Sequence, residues 1–388
     1  MNTCETKQNN QPTYRILSLD GGGIRGLITA VWLHRLEQEL GAPIRDHFNL
    51  IAGTSTGSIL ACGISLGKPA SELIKIYKER GKEIFPHSPF SRALKFIKHL
   101  PTQGIDQQFY CDKGLQNVLK DEFKSEKFLK YNSQIDSNKK CKDLLFEDLW
   151  CLNERKLTTL VMSYDTLNRR AIPFNSSQPR YAKIPVWEIC KASSSAPIFF
   201  PAHIMEMKNG DVSYKVPMID GGVVASNPTA CALAEGMKAR TDLIKEQFVI
   251  VSLGTGDANR PISIEQAQKW GIFNWTTNIT NILFDGVSQA VDHIATSMLE
   301  KNRYFRFQGK LERDSLDDVS EENLNALQAF ANSYFETTIC KDTINELKEV
   351  LNTSNKVEDK VLDNSLMVAN NHFCDTSSNK LDKPLTLN

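Results

Sequence analysis

The chain has 388 residues, enough for one large α/β domain with additions or for two domains. Hydrophobic residues make up 41% and charged residues 24%, as in ordinary globular proteins, and the 46 basic residues equal the 46 acidic ones. That balance excludes a strongly electrostatic binder of nucleic acid.

The first thirteen residues are polar and predicted to be disordered. They lack the apolar centre of a signal peptide, and no apolar run approaches the ~18–20 residues needed to cross a bilayer. The 9 cysteines include no C-x-x-C pair, so neither a disulfide framework nor a zinc site is expected. A cytoplasmic protein, at most peripheral at membranes, fits these features.

Tyr14–Leu19 (YRILSL) reads as a buried strand. Asp20-Gly21-Gly22-Gly23 breaks it, and apolar residues at helical spacing begin at Leu27. A strand, a glycine turn and a helix start leave backbone N–H groups uncovered at the positive end of a helix dipole, which makes an anion site. Two anions suit it. Gly21, Gly23 and Gly26 match the G-x-G-x-x-G of dinucleotide sites, whereas the oxyanion of acyl transfer needs the same uncovered amides.

His47–Ala52 reads as a second buried strand, running into Gly53-Thr54-Ser55-Thr56-Gly57 and then a helix stopped by Gly67. G-x-S-x-G between strand and helix is the setting of a nucleophile elbow: Ser55 is presented on a sharp turn, and Gly53 and Gly57 let neighbouring backbones pass. A dinucleotide site wants an acidic residue at the end of this second strand. Gly53-Thr54-Ser55 stands there instead, and Asp20 would repel a pyrophosphate, so the oxyanion reading is preferred.

Ala70–Ile84 reads as a helix, Pro86–Pro101 as a basic amphipathic segment that is either a membrane-surface element or an ordinary half-exposed helix, and Lys113–Phe123 as a helix. Lys124–Lys142 is polar and read as a surface excursion. Lys156–Tyr164 and Arg170–Phe174 read as a hairpin, Val186–Ser195 as a helix ended by Pro197, and Val212–Ile219 as a strand leading to Asp220-Gly221-Gly222. Asn227–Arg240 reads as a helix and Phe248–Leu253 as a strand. This alternation predicts an α/β fold, a mostly parallel sheet flanked by helices in three layers.

From Ile262 the pattern is mainly helical, with a strand at Tyr304–Phe307. Ile279, Ile282, Leu283, Val287, Ala290, Val291 and Ile294 form a stripe read as core, and Asn323–Leu351 reads as helix. The expected organisation is a catalytic α/β domain over 14–260, a helical extension packed on or capping it over 261–351, and a loose polar tail over 352–388.

Ser55 needs a proton acceptor. His293 and His372 are the only histidines after Asp220, one inside the helical stripe and one in the tail, and neither suits that role. Asp220 closes a strand at what reads as the same sheet edge as Asp20 and Ser55. A carboxylate is a weak base, so partial burial would have to raise its basicity.

Together, Asp20–Gly26, Gly53–Gly57 and Asp220–Gly222 resemble the D-G-G-G-x-[R/K]-G, G-x-S-x-G and D-G-[G/A] motifs of the patatin-like phospholipase family. The segment Ala192–Pro201, Asn227-Pro228 and Ser252–Gly256 add to the match, which spans Tyr14 to Gly256 in order. The resemblance implies a Ser55–Asp220 dyad cleaving fatty-acyl esters through an acyl-enzyme. It implies an oxyanion hole from the amides of Gly21, Gly22, Gly23 and Ile24, with Asp20, Arg25, Gly26, Gly53, Gly57, Gly221 and Gly222 in support. No metal or other cofactor is implied. The implied substrates are membrane phospholipids or galactolipids met in transient contact with a membrane surface, and a small-molecule or protein activator is a further expectation. The competing readings are an esterase or thioesterase on soluble substrates and a catalytically silent lipid-binding module.

Overall fold

A computed structural model describes residues 13–86, 108–135, 142–153, 156–209, 212–258 and 261–351. The basic segment Pro86–Pro101, except Pro86, and the N-terminal and C-terminal tails lie outside the described residues. So does His372.

Apolar strands with no polar face must be covered on both sides, and the central strands here are of that kind. The sheet runs in the order β5-β6-β3-β2-β1-β7-β9, with β4 against β3. The strands are β1 (Tyr14–Leu19), β2 (Leu50–Thr54), β3 (Thr158–Asp165), β4 (Arg170–Asn175), β5 (His203–Asn209), β6 (Val212–Asp220), β7 (Phe248–Leu253) and β9 (Tyr304–Phe307). β1, β2, β3, β7 and β9 are parallel, β4 and β6 run antiparallel to β3, and β5 pairs antiparallel with β6. A small parallel pair, β8 (Asp257–Ala258) and β10 (Lys310–Leu311), stands apart.

Successive side chains of a strand point to opposite faces. Leu17, Leu19, Ile51, Val161 and Val251 accordingly enter one core cluster, and Ile16, Leu50, Ala52, Leu160 and Ile250 the other. The first cluster packs under the helices Gly26–Leu40, Thr56–Ser65, Ala70–Ile84, Lys113–Glu122, Val186–Ser194 and Glu321–Phe335. The second packs under Thr229–Ala239 and includes Leu299, just past the end of the long helix Ile272–Met298. The predicted three-layer α/β fold is therefore the observed one.

Four expectations are corrected. His203–Asn209, not foreseen as a strand, pairs with β6 as a hairpin. Lys124–Lys142 is not mere surface: Phe128 and Ile135 are buried in the first core cluster. Asn323–Leu351 is two helical stretches, Glu321–Phe335 and 338–351, interrupted at 336–337. The stripe read as core on the long helix is largely exposed, because only Phe284, Ser288 and Ala295 of its described side chains are buried. β9, from the region read as an extension, continues the sheet beside β7, and the long helix is the crossover between them. Among the described residues no helix is long and apolar enough to cross a membrane.

Candidate active site

Ser55 follows the last residue of β2 and precedes the helix Thr56–Ser65. Its φ is +54°, in the left-handed region that a residue with a side chain rarely adopts. The turn is held by the Ser55 N–H donating to Ser193 Oγ at 2.8 Å and by Ser58 N–H donating to Ser55 O at 2.9 Å. It also needs room behind it. A Cβ on Gly57 would lie 2.2 Å from Leu19 O, so β1 can pass the elbow only if residue 57 is glycine.

Asp220 reaches Ser55 by a route the sequence reading did not foresee. β2 runs parallel to β3 and ends with Thr54 opposite Met162. β6 runs antiparallel to β3 and ends with Asp220 opposite Ser163. β4 occupies the other side of β3 over the same residues. The two strands therefore enter one slot from opposite directions and meet at residues 162 and 163. The expectation of a shared carboxyl edge is corrected accordingly: the two residues face each other across a head-on junction.

At that junction Ser55 Oγ donates to Asp220 Oδ2 at 2.6 Å, and the Gly222 N–H donates to Asp220 Oδ1 at 2.7 Å. Asp220 is wholly buried and Ser55 is 6% exposed. Burial pushes the Asp220 carboxyl up to about 7, and the two hydrogen bonds only partly oppose it. The Ser193–Ser195 segment ties the halves together. Ser193 Oγ accepts from Ser55 N–H and donates to Met162 O, and Ser195 O accepts from Asp220 N–H at 3.0 Å. The flanking Ser194 was not singled out by sequence. Its buried hydroxyl has no hydrogen-bond partner among the described residues and lines the same pocket as Ser55 and Asp220.

The glycine loop lies directly against the elbow: a Cβ on Gly21 would stand 3.3 Å from Ser55 Cβ. Not all four expected amides are available. Gly21 N–H donates to Ser226 O at 2.9 Å and Ile24 N–H to Leu316 O at 2.8 Å. Gly22 N–H and Gly23 N–H make no hydrogen bond among the described residues. The expected set of Gly21, Gly22, Gly23 and Ile24 thus narrows to two open donors, because the other two anchor the loop. Gly23 has φ +57°, and a Cβ there would lie 2.1 Å from Leu316 O.

Behind the loop, Asp20 is held by Arg306 of β9. The guanidinium donates to Asp20 Oδ2 at 2.6 Å and Oδ1 at 3.1 Å, and Ser288 Oγ donates to Oδ2 at 3.1 Å. Burial pushes the Asp20 carboxyl up and Arg306 opposes it. Arg25 is buried beside this group and does not line the pocket; burial draws it below its usual pKa, and nearby Asp285 and Asp314 oppose that shift. His293, on the long helix, is exposed.

The pocket over Ser55 and Asp220 measures about 810 Å³ including its open mouth. Ile59, Leu119, Phe199, Phe200, Phe284 and Leu316 give it apolar walls, and Glu122, paired with Lys68 at 2.7 Å, also borders it. An apolar cleft with a hydroxyl, a buried carboxylate and open amides at one point suits an ester with a long apolar acyl chain.

Known proteins point the same way. The family model for patatin-like phospholipase matches residues 17–233. Patatin-like protein 2 of Arabidopsis thaliana is 32% identical over 365 residues, covering 81% of this chain and 82% of that protein. Patatin group M-3 of Solanum tuberosum is 25% identical over 390 residues, covering 90% of each. Among solved structures, VipD from Legionella pneumophila aligns with a TM-score of 0.39 at 13% identity over 84% of this chain and 67% of that one, a likeness too remote to argue from. With more than half of its residues inside the family model, the chain belongs to the patatin-like phospholipase family.

Proposed function

We propose that the protein is a lipid acyl hydrolase that cleaves fatty-acyl esters of membrane glycerolipids, phospholipids or galactolipids, with Ser55 as nucleophile and Asp220 as its base. The observation that carries this reading is the 2.6 Å hydrogen bond from Ser55 to a buried Asp220 beneath a glycine loop with two open amides.

In this course Asp220 accepts the Ser55 proton as Oγ attacks the ester carbonyl. The oxyanion takes hydrogen bonds from Gly22 and Gly23, and the helix starting at Thr56 adds its positive end. Asp220 returns the proton to the departing alcohol, leaving an acyl-Ser55. Asp220 then takes a proton from water as that water attacks the acyl carbonyl, and passes it to Ser55 Oγ as the Oγ–acyl bond breaks and the fatty acid leaves. The apolar walls hold the acyl chain. Asp20, Arg25, Gly26, Gly53, Gly57 and Gly221 shape the loop and turns around these groups.

Labelling with a fluorophosphonate probe, alongside a panel of phospholipids and galactolipids, tests the reading. Ser55 is expected to be labelled, Ser55→Ala to lose labelling and turnover without unfolding, and Asp220→Asn to lose at least about a hundredfold in rate. An unlabelled Ser55 would support a silent lipid-binding module. Substantial turnover by Asp220→Asn would require another base.

A further inference from the structure

The long helix Ile272–Met298 has two faces of opposite character. Its inner face belongs to the site: Phe284 lines the pocket and stands where a Cβ on Gly222 would come within 2.6 Å of its ring, and Ser288 donates to Asp20. Asp292 accepts a hydrogen bond from Tyr304 at 2.7 Å, and Asp285 acts on the buried charge of Arg25.

The outer face carries Trp275, Ile279 and Leu283 on successive turns and, three turns farther along the same side, Ile294 and Met298, each 36–45% exposed. Seven of the thirteen large apolar residues exposed among the described residues lie between 262 and 298. Single exposed apolar residues are ordinary, but a stripe running the length of a helix is not. The helix has no lysine or arginine, so nothing on it selects acidic headgroups. Trp270 and Trp275 form an edge-on pair 5.2 Å apart at its N-terminal end, and indole favours the boundary between water and lipid.

We propose that this stripe is the surface by which the protein docks on an electrically neutral lipid bilayer, with the pocket mouth turned toward the lipid. The occupant follows from continuity. Leu283 on the stripe and Phe284 in the pocket are neighbours in sequence, so a surface seated on the first is next to the entrance lined by the second. The proposal rests on the acyl-hydrolase reading for its substrate but is measured without turnover.

The test uses the full chain carrying Ser55→Ala, so that vesicles are not degraded, and phosphatidylcholine vesicles without anionic lipid. The parent is expected to float with the vesicles at low and high salt, and Trp emission to shift to the blue, a shift diminished in Trp275→Phe. Adding Ile279→Ser, Leu283→Ser and Ile294→Ser together should weaken binding by about tenfold or more. The same triple on the active enzyme should lose vesicle hydrolysis while keeping its rate on a soluble short-chain ester. Vesicle binding unchanged by the triple, binding abolished by salt, or a lipid-independent dimer that the triple dissolves would each overturn the proposal. If the triple fails to fold, the Trp275 emission decides alone. A protein that binds vesicles through this face but cleaves no ester would sink the proposed activity and leave the docking surface standing.

Discussion

Asp220 is a buried carboxyl with two donors, the Ser55 hydroxyl and the Gly222 amide, and no cation among its hydrogen-bond partners in the described residues. Its pKa of about 7 against an ordinary 3.8 has opposite consequences for activity and stability. A base must be ionised, so kcat/KM on a soluble ester is expected to rise through about pH 7 and level off above it. Stability runs the other way. The folded state holds this proton more tightly than the unfolded chain, so the contribution is complete below the unfolded value and lost as pH rises through about 7. At 1.36 kcal/mol per unit the loss approaches about 4 kcal/mol. Asp220→Asn keeps an acceptor for Gly222 and removes the charge. It should therefore abolish turnover yet melt above the parent at about pH 8, the gap narrowing toward about pH 5. Thermal unfolding across that range measures it, and equal melting at the high end would mean that the carboxylate is better solvated than its burial implies.

At the scale of elements, the glycine loop is positioned by parts of the chain that its motif does not contain. D-G-G-G-x-R-G announces a loop of bare amides, but which amides stay open is settled by Ser226 and Leu316, which take two of the four. That choice was not legible in the sequence, because it depends on where distant carbonyls arrive. The same holds for Arg306, an unremarked arginine in a short strand that turns out to hold Asp20 with two hydrogen bonds. Arg306→Gln leaves the Asp20 carboxylate buried with only Ser288 beside it, and breaking such a pair from one side costs about 3–5 kcal/mol. Removing both charges, as Asp20→Asn with Arg306→Gln, should recover much of that loss. If the pair also aims the loop, each single variant should lower kcat about tenfold or more at nearly unchanged KM, since a displaced oxyanion donor acts only in the transition state. Melting temperatures with steady-state kinetics on a soluble ester separate the two effects. A less stable variant with full kcat would make the pair a strut and nothing more.

At the scale of the whole molecule, the strands β1, β2, β3 and β7 were legible because each is a short, mostly apolar run, and the hydrogen-bonded Ser55–Asp220 pair because both its residues sit in motifs at strand ends. The role of the chain beyond 260 was not, since helical periodicity says which residues can form a face but not what that face meets. In the fold this region does three jobs. β9 pairs in parallel with β7 and covers its edge. Leu324, Leu327, Phe335 and Leu347 enter the first core cluster, where Trp32 Nε1 donates to Ala331 O at 3.0 Å. Leu316 holds Ile24 and walls the pocket. A chain ended after residue 260 would therefore expose the long hydrophobic edge of β7 and the apolar face of Gly26–Leu40, a pairing template and a patch that both promote association. Such a chain is expected to be insoluble, or soluble without a cooperative melting transition, and to lose fluorophosphonate labelling of Ser55 even though every motif of the dyad is intact. Expression of the truncated and full-length chains side by side, with melting and probe labelling on each, checks this. A truncated protein that melts cooperatively and is labelled at the full-length rate would show that the first 260 residues make a self-sufficient catalytic domain.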